Sequence, residues 1–189
     1  MLCNSRVQLS ATYFYTRLNE VIAFDSSGLI NQFTDPLGRN GGYRNTGGGL
    51  ARGVEFRSDI AATQSLQLSV AYTYTDARQA TPLAPGVWQT YEVPRHQYSA
   101  FATQRFTSRL VGYFGYAGSS SYLDPVSGRA FRFNGPSRVQ TAISYRRPLS
   151  EFSAARFYFK ADNVFNQTYF ENGYRTPGVS LTAGTQWEF

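Results

Sequence analysis

The stretch Leu66-Gln67-Leu68-Ser69-Val70-Ala71-Tyr72-Thr73-Tyr74-Thr75 alternates without a break between a branched or aromatic residue and a small or polar one. That period of two places Leu66, Leu68, Val70, Tyr72 and Tyr74 on one face of an extended strand. The same pattern recurs at the end of the chain. Val179, Leu181, Ala183, Thr185, Trp187 and Phe189 share one face, while Ser180, Thr182, Gly184, Gln186 and Glu188 share the other. In a third stretch Val54, Phe56, Ser58, Ile60 and Ala62 stand opposite Glu55, Arg57 and Asp59. A row of alternating charge suits water, and the uncharged row behind it suits lipid.

Weaker strands obey the same polarity. Val7, Leu9, Ala11, Tyr13 and Tyr15 oppose Arg6, Gln8, Ser10 and Thr12; Val139, Thr141, Ile143 and Tyr145 oppose Arg138, Gln140, Ser144 and Arg146; Phe157, Phe159 and Ala161 oppose Arg156, Tyr158, Lys160 and Asp162. Phe101 breaks the alternation between His96 and Phe106, and both faces of Arg109 to Ala117 carry rings, so no inward set is assigned there. About eight strands are expected, over 6–24, 43–62, 66–78, 96–106, 109–119, 132–147, 155–168 and 179–189. Their connections alternate in length. Those at 63–65, 107–108 and 148–154 are short, and those at 25–42, 79–95, 120–131 and 169–178 are long and rich in Gly, Pro, Asn and Asp. An antiparallel transmembrane β-barrel pairs short periplasmic turns with long extracellular loops in this way.

Composition agrees with an amphipathic wall. Aromatic residues make up 16% of the 189 and glycine occurs 17 times, yet the mean hydropathy is negative. A polar average hides an apolar face when the two alternate. No run approaches the roughly 18 uncharged apolar residues of a spanning helix, so a bilayer crossing must use a closed sheet. The net charge is +6, and Arg supplies 17 of the 18 basic residues, Lys160 being the other. These cations are interleaved with apolar neighbours, unlike a nucleic-acid arm, and are expected to pair with acids across an inner wall. Cys3 has no partner for a disulfide or for a Cys-based metal site. Strand-like sequence begins immediately after Arg6 with no recognisable secretion signal, which suggests a mature or truncated chain.

The order of motifs resembles the closing strands of the TonB-dependent outer-membrane receptors. The resemblance rests on Asn163-Val164-Phe165-Asn166-Gln167-Thr168-Tyr169, then Glu171-Asn172-Gly173-Tyr174, Pro177-Gly178 and the final Trp187-Glu188-Phe189. Upstream, Gly53-Val54-Glu55-Phe56, the strand 66–77 and Val93-Pro94-Arg95-His96 match the same family in order and spacing. The resemblance implies a barrel of about twenty-two strands, of which residues 1–189 would form the C-terminal part, plug and earlier strands lying elsewhere. It implies import of a scarce ligand, a ferric siderophore, cobalamin or a glycan. It implies outer-membrane lipid as the surroundings, and contact with the TonB energy complex only through the missing plug. It further makes Trp187 and Phe189 the signal read by the barrel-insertion machinery. Candidate ligand contacts are the loop and rim residues Tyr91, Tyr122, Arg129, Tyr174 and Arg175, because long loops rich in rings and Arg make adaptable surfaces.

No enzyme and no cofactor is expected. His96 is the single histidine and reads as a polar rim residue, and Arg57 between Glu55 and Asp59 makes ion pairing the simpler account of those carboxylates. Gly47-Gly48-Gly49 is followed by neither Lys-Ser nor Lys-Thr, so it is no phosphate loop. A free-standing small outer-membrane barrel with a structural or adhesive role and a soluble ligand-binding barrel stay open as alternatives. The uncharged face argues against the second of these.

Overall fold

The computed structural model describes residues 6–25, 31–39, 41–80, 86–126, 129–171 and 174–189; of residues 23–25, 125, 126, 129 and 171 only the backbone is described. Cys3 lies outside these residues. Among the described residues the strands are β1 (Val7–Asp25), β2 (Gly42–Ala61), β3 (Leu66–Gln79), β4 (His96–Arg105), β5 (Leu110–Ser119), β6 (Tyr122–Val126), β7 (Arg129–Phe133), β8 (Ser137–Pro148), β9 (Ala154–Asp162), β10 (Phe170–Glu171), β11 (Tyr174–Arg175) and β12 (Ser180–Glu188). Eight of them form one antiparallel meander in the order β1-β2-β3-β4-β5-β8-β9-β12, while β6 with β7 and β10 with β11 make two-stranded ribbons. The meander does not close. β1 and β12 each have one bonded neighbour and one free edge.

Hydrogen-bonded rows show how the alternation becomes two surfaces, because residues paired across antiparallel strands point the same way. One row runs Val7, Ile60, Leu68, Ala102, Phe114, Thr141, Ala161, Leu181. The next runs Leu9, Ser58, Val70, Ala100, Tyr116, Val139, and another Leu66, Gln104, Gly112, Ile143, Phe159, Ala183. No charge occurs in any of the three. Residues on this face are widely exposed, Leu9 at 63% and Leu181 at 64%, and among the described residues no large side chain is fully buried. A soluble sandwich would bury such a face against a second layer. A single-layer wall with its apolar face open is what lipid requires.

At the level of these rows the charge lies on the opposite face, where several ion pairs form. Asp59 accepts from Arg57 at 2.7 Å and from the Ser69 hydroxyl at 2.6 Å. Glu188 bridges Arg146 at 2.7 Å and Arg156 at 2.8 Å, and Lys160 meets Asp162 at 2.9 Å. The unassigned rings of β4 and β5 divide between the faces. Phe101 and Tyr113 stack at 6.1 Å on the charged side, and Phe114 and Tyr116 belong to the uncharged rows.

The short turns are closed by side-chain oxygens. Thr63 Oγ1 accepts from the amides of Ser65 and Leu66 at 3.1 and 2.9 Å, and Thr107 Oγ1 accepts from those of Arg109 and Leu110 at 3.1 and 3.0 Å. Thr-Gln-Ser-Leu and Thr-Ser-Arg-Leu thus reverse the chain by one device, a hydroxyl standing in for a backbone acceptor.

Two expected boundaries need correction. The strand expected from Arg132 begins at Ser137, because Asn134-Gly135-Pro136 interrupts it and Arg132 belongs to the β6–β7 ribbon. The strand expected to run to Thr168 ends at Asp162, where Asn163 and Asn166 take φ of 50° and 51° and turn the backbone out of the ladder. Two of the long connections therefore contain strands of their own.

Candidate ligand-binding site

At the long-loop end of the charged face, three connections fold over the wall. The amide of Glu92 donates to the Leu123 carbonyl at 2.7 Å, tying the β3–β4 loop to the β6–β7 ribbon. The Tyr122 hydroxyl donates to the Phe170 carbonyl, tying that ribbon to the β9–β12 connection. Rings seal the junction, Tyr122 on Phe133 at 6.0 Å and Phe133 on Phe170 at 5.8 Å. Below this roof lies a cavity of about 530 Å³, lined by Thr73, Gln97, Ser99, Ser119 and Arg138 from the wall and by Glu92, Tyr122, Tyr169 and Phe170 from the loops. Its chemistry is a hydroxyl- and amide-bearing wall with one cation and one anion under an aromatic cover. Such a lining orients a polar, oxygen-rich ligand by several hydrogen bonds. Among the described residues no group of three His, Cys, Asp or Glu is placed to hold a metal ion.

Asn163 supports the roof. Its side chain, in a residue 3% exposed, accepts from the Gln167 amide at 2.9 Å and donates to the carbonyls of Gln167 and Pro177 at 2.9 and 3.2 Å. Asn166 completes the turn by accepting from the Val179 amide at 3.3 Å. The motif 163–169 is thus a polar clamp that sets where Tyr169 and Phe170 stand. Replacing Asn163 with Ala removes three bonds whose partners, in the exposed residues Gln167 and Pro177, can turn to water, a loss of about 0.5 to 1.5 kcal/mol per bond. We expect the 163–179 segment to become the first site of limited proteolysis. Asn163→Gly keeps the φ and loses only the bonds, and should show the same sensitivity; resistance equal to the parent in both variants refutes the clamp.

Of the expected contacts, Tyr122 alone lines the cavity, and it is 7% exposed instead of lying open on a loop. Tyr91 is half-buried beside Glu92 and does not line it. Tyr174 is 79% exposed on β11, and Arg175 next to it donates to Thr168 Oγ1 at 3.4 Å. Arg129 contributes backbone to β7, its side chain lying outside the described residues. At the other end Trp187 is exposed on the uncharged face and Phe189 lies wholly exposed beyond β12. His96 is paired with the Tyr72 hydroxyl at 2.8 Å on the uncharged face, a rim position. In the β1–β2 loop, the Arg39 guanidinium and the Leu37 and Arg39 amides hold the Asp35 carboxyl well below the usual carboxylate range. That turn stands apart from the cavity.

Sequence reading missed Glu92, Gln97, Ser99, Ser119 and Arg138 as site residues. Arg138 carried a usable signal, its place opposite Val139 and Ile143. Glu92 carried none, since its position depends on a bond to a residue thirty-one places away.

The family described as TonB dependent receptor-like, beta-barrel, matches residues 4–164. The chain is 26% identical over 187 residues to the Ferrichrome outer membrane transporter/phage receptor of Escherichia coli (strain K12), an alignment covering 95% of this chain and 23% of that protein. The ferripyoverdine receptor of the outer membrane of Pseudomonas aeruginosa, bound to ferripyoverdine, superposes with a TM-score of 0.70 at 17% identity over 100% of this chain and 26% of that one. The closed form of the ferric-catecholate import receptor Fiu from K12 E. coli gives 0.69 at 16% identity over 99% and 26%. At these identities the two structures establish the shared fold. The chain spans about a quarter of the length of these relatives.

Proposed function

The chain belongs to the TonB-dependent receptor-like β-barrel family, and from that premise we propose that its eight strands are one arc of a wider outer-membrane barrel that takes up a chelated, oxygen-rich ligand of the ferric-siderophore class. The observation that carries the reading is the contrast between the two faces. The uncharged rows turn to lipid, and the opposite, ion-paired face turns to a wet lumen roofed by loops. The relatives named for ferrichrome, ferripyoverdine and ferric catecholates support the ligand class. Cobalamin and glycans are the other ligands to be tested. In this reading the arc is the C-terminal part of the barrel, the energy complex acts through a plug carried elsewhere, Trp187 and Phe189 serve barrel insertion, and the protein binds and conducts without chemical conversion.

Uptake of radiolabelled ferric siderophores by the full-length receptor tests the site. Arg138→Ala or Gln97→Ala should raise the half-saturating concentration about tenfold, the scale of one lost hydrogen bond to a charged or polar ligand group. Tyr174→Ala and Arg175→Ala should change it less than twofold. The opposite order would place recognition on the outer loop tips.

The sidedness follows from loop length and has its own test. In a receptor otherwise free of cysteine, a cysteine at Leu37, 75% exposed in the β1–β2 loop, should react on intact cells with a label that cannot cross the membrane. A cysteine at Gln64, in the turn between β2 and β3, should react only after the envelope is opened. The reverse result inverts the topology. Asp124 would be a poor reporter, being 5% exposed.

A further inference from the structure

Above the uncharged rows, on the same face, the register gathers three arginines. Tyr15, Arg52 and Asp76 stand side by side across β1, β2 and β3, and two residues further from the turns Arg17, Leu50 and Arg78 do the same. Asp76 is 5% exposed. Arg78 Nε reaches one of its oxygens at 2.8 Å, and Arg52 reaches the other with Nε and a terminal nitrogen, both at 3.3 Å. Arg78 makes this contact through Nε, so its two terminal nitrogens are not used on Asp76. The side chains of Arg52 and Arg78 are 49% and 56% exposed, and Arg17 forms no ion pair among the described residues. Three cations stand against one anion. Beside them Tyr15, Arg17, Leu50 and Arg78 line a depression of about 440 Å³. Gly49 also borders it.

We propose that Arg17, Arg52 and Arg78, aligned by Asp76, hold the phosphate of a phosphorylated lipid whose acyl chains lie along the uncharged rows beneath. Height supports this. Asp76 and Arg78 follow the ring of Tyr74 by two and four residues, roughly 7 to 13 Å along the strand at about 3.3 Å per residue. They therefore stand beyond the aromatic level where an outer-membrane wall meets the headgroups, a depth at which Arg is tolerated and anionic lipid is met. Guanidinium groups match phosphate oxygens two at a time. Asp76 spends its charge holding two of these groups in position and leaves the cluster net positive. A soluble anion would use the cations and leave the apolar rows untouched; a phospholipid uses both. The inference rests on the outward assignment of this face.

The test uses the full-length receptor in detergent micelles doped with dioleoyl phosphatidic acid or with dioleoylglycerol, which differ by the phosphate alone. Retained lipid is read by native mass spectrometry over a concentration series. The phosphorylated lipid should bind at least tenfold more tightly, and Arg17→Gln with Arg78→Gln should abolish that preference. Arg138→Gln, on the other face, should preserve it. Inorganic phosphate at millimolar concentration should not compete. Equal binding of the two lipids, equal loss in R138Q, or full competition by inorganic phosphate would each overturn the proposal. Heat-modifiable migration checks folding. Should the double variant not fold, R17Q with Arg78→Lys keeps two of the three cations and should show an intermediate preference; a preference equal to the parent's counts against the site. An error in the outward assignment would show instead as tolerance of Arg at Val70, so the two failures are distinguishable.

Discussion

Arginine at Val70 should destabilise the inserted barrel by about 2 to 4 kcal/mol, the cost of a guanidinium facing lipid near the bilayer midplane. Val70 stands in the middle of β3, in the row with Leu9, Ser58, Ala100 and Tyr116, which holds no charge. Ala183 on β12, beside Phe159, should respond alike. Thr73 is three residues from Val70 on the same strand, but its side chain lines the cavity. Arg there meets water and should cost under about 1 kcal/mol, as an exposed change away from packed features does. Equilibrium urea unfolding in vesicles measures the difference. Equal tolerance at Val70 and Thr73 would mean that neither face contacts lipid.

Expressed alone with a secretion signal, residues 1–189 should give no energy-dependent uptake in a strain lacking the parent receptor. β1 and β12 present unbonded edges, and each unpaired backbone group in lipid costs several kcal/mol. Closing the eight strands by joining those edges would make a barrel whose interior is just filled by side chains. Arg57, Arg146, Arg156 and Lys160, all on the inner face, would then be crowded together with the acids they pair, Asp59, Asp162 and Glu188. Aggregation, degradation or an inert barrel is the expected outcome. A heat-modifiable monomer that accumulates labelled siderophore would sink the arc reading.

Strand order and the polarity of the faces were legible because a period of two is written locally, most plainly at Leu66 to Thr75 and Val179 to Phe189. The faces of β4 and β5 were not. Ala100, Ala102, Gly112 and Gly115 are too small to mark a side, and Phe101 and Tyr113 are apolar rings that pack on the wet wall. They fit because Gly115 leaves room; a Cβ there would come within 2.9 Å of Gln140 and of the Tyr113 hydroxyl. The limits of β7 and β8 were blurred for a related reason. Arg132 and Phe133 continue the alternation of the following strand, yet their ladder partners are Leu123 and Tyr122. Local period cannot name a partner. The cavity was least legible, since its roof is made by bonds between loops far apart in sequence.

The meander has a further bearing on how the wall is assembled. Each ladder of the large sheet joins strands that follow one another in that sheet, so the large sheet needs no long-range crossover. Each strand therefore pairs with the next one along the sheet, although partners such as Val7 and Ile60 are far apart in sequence, and the entropic cost of each closure is set by one connection alone. The two Thr-closed turns make β2–β3 and β4–β5 the shortest closures, so these hairpins are the natural nuclei from which pairing spreads to β1 and to β8. A slow step is then expected where a long loop must be spanned, at β1–β2, β3–β4, β5–β8 and β9–β12; lengthening those loops should raise the free-energy cost of closure with the logarithm of their length, and so lengthen the closure time as roughly its 3/2 power.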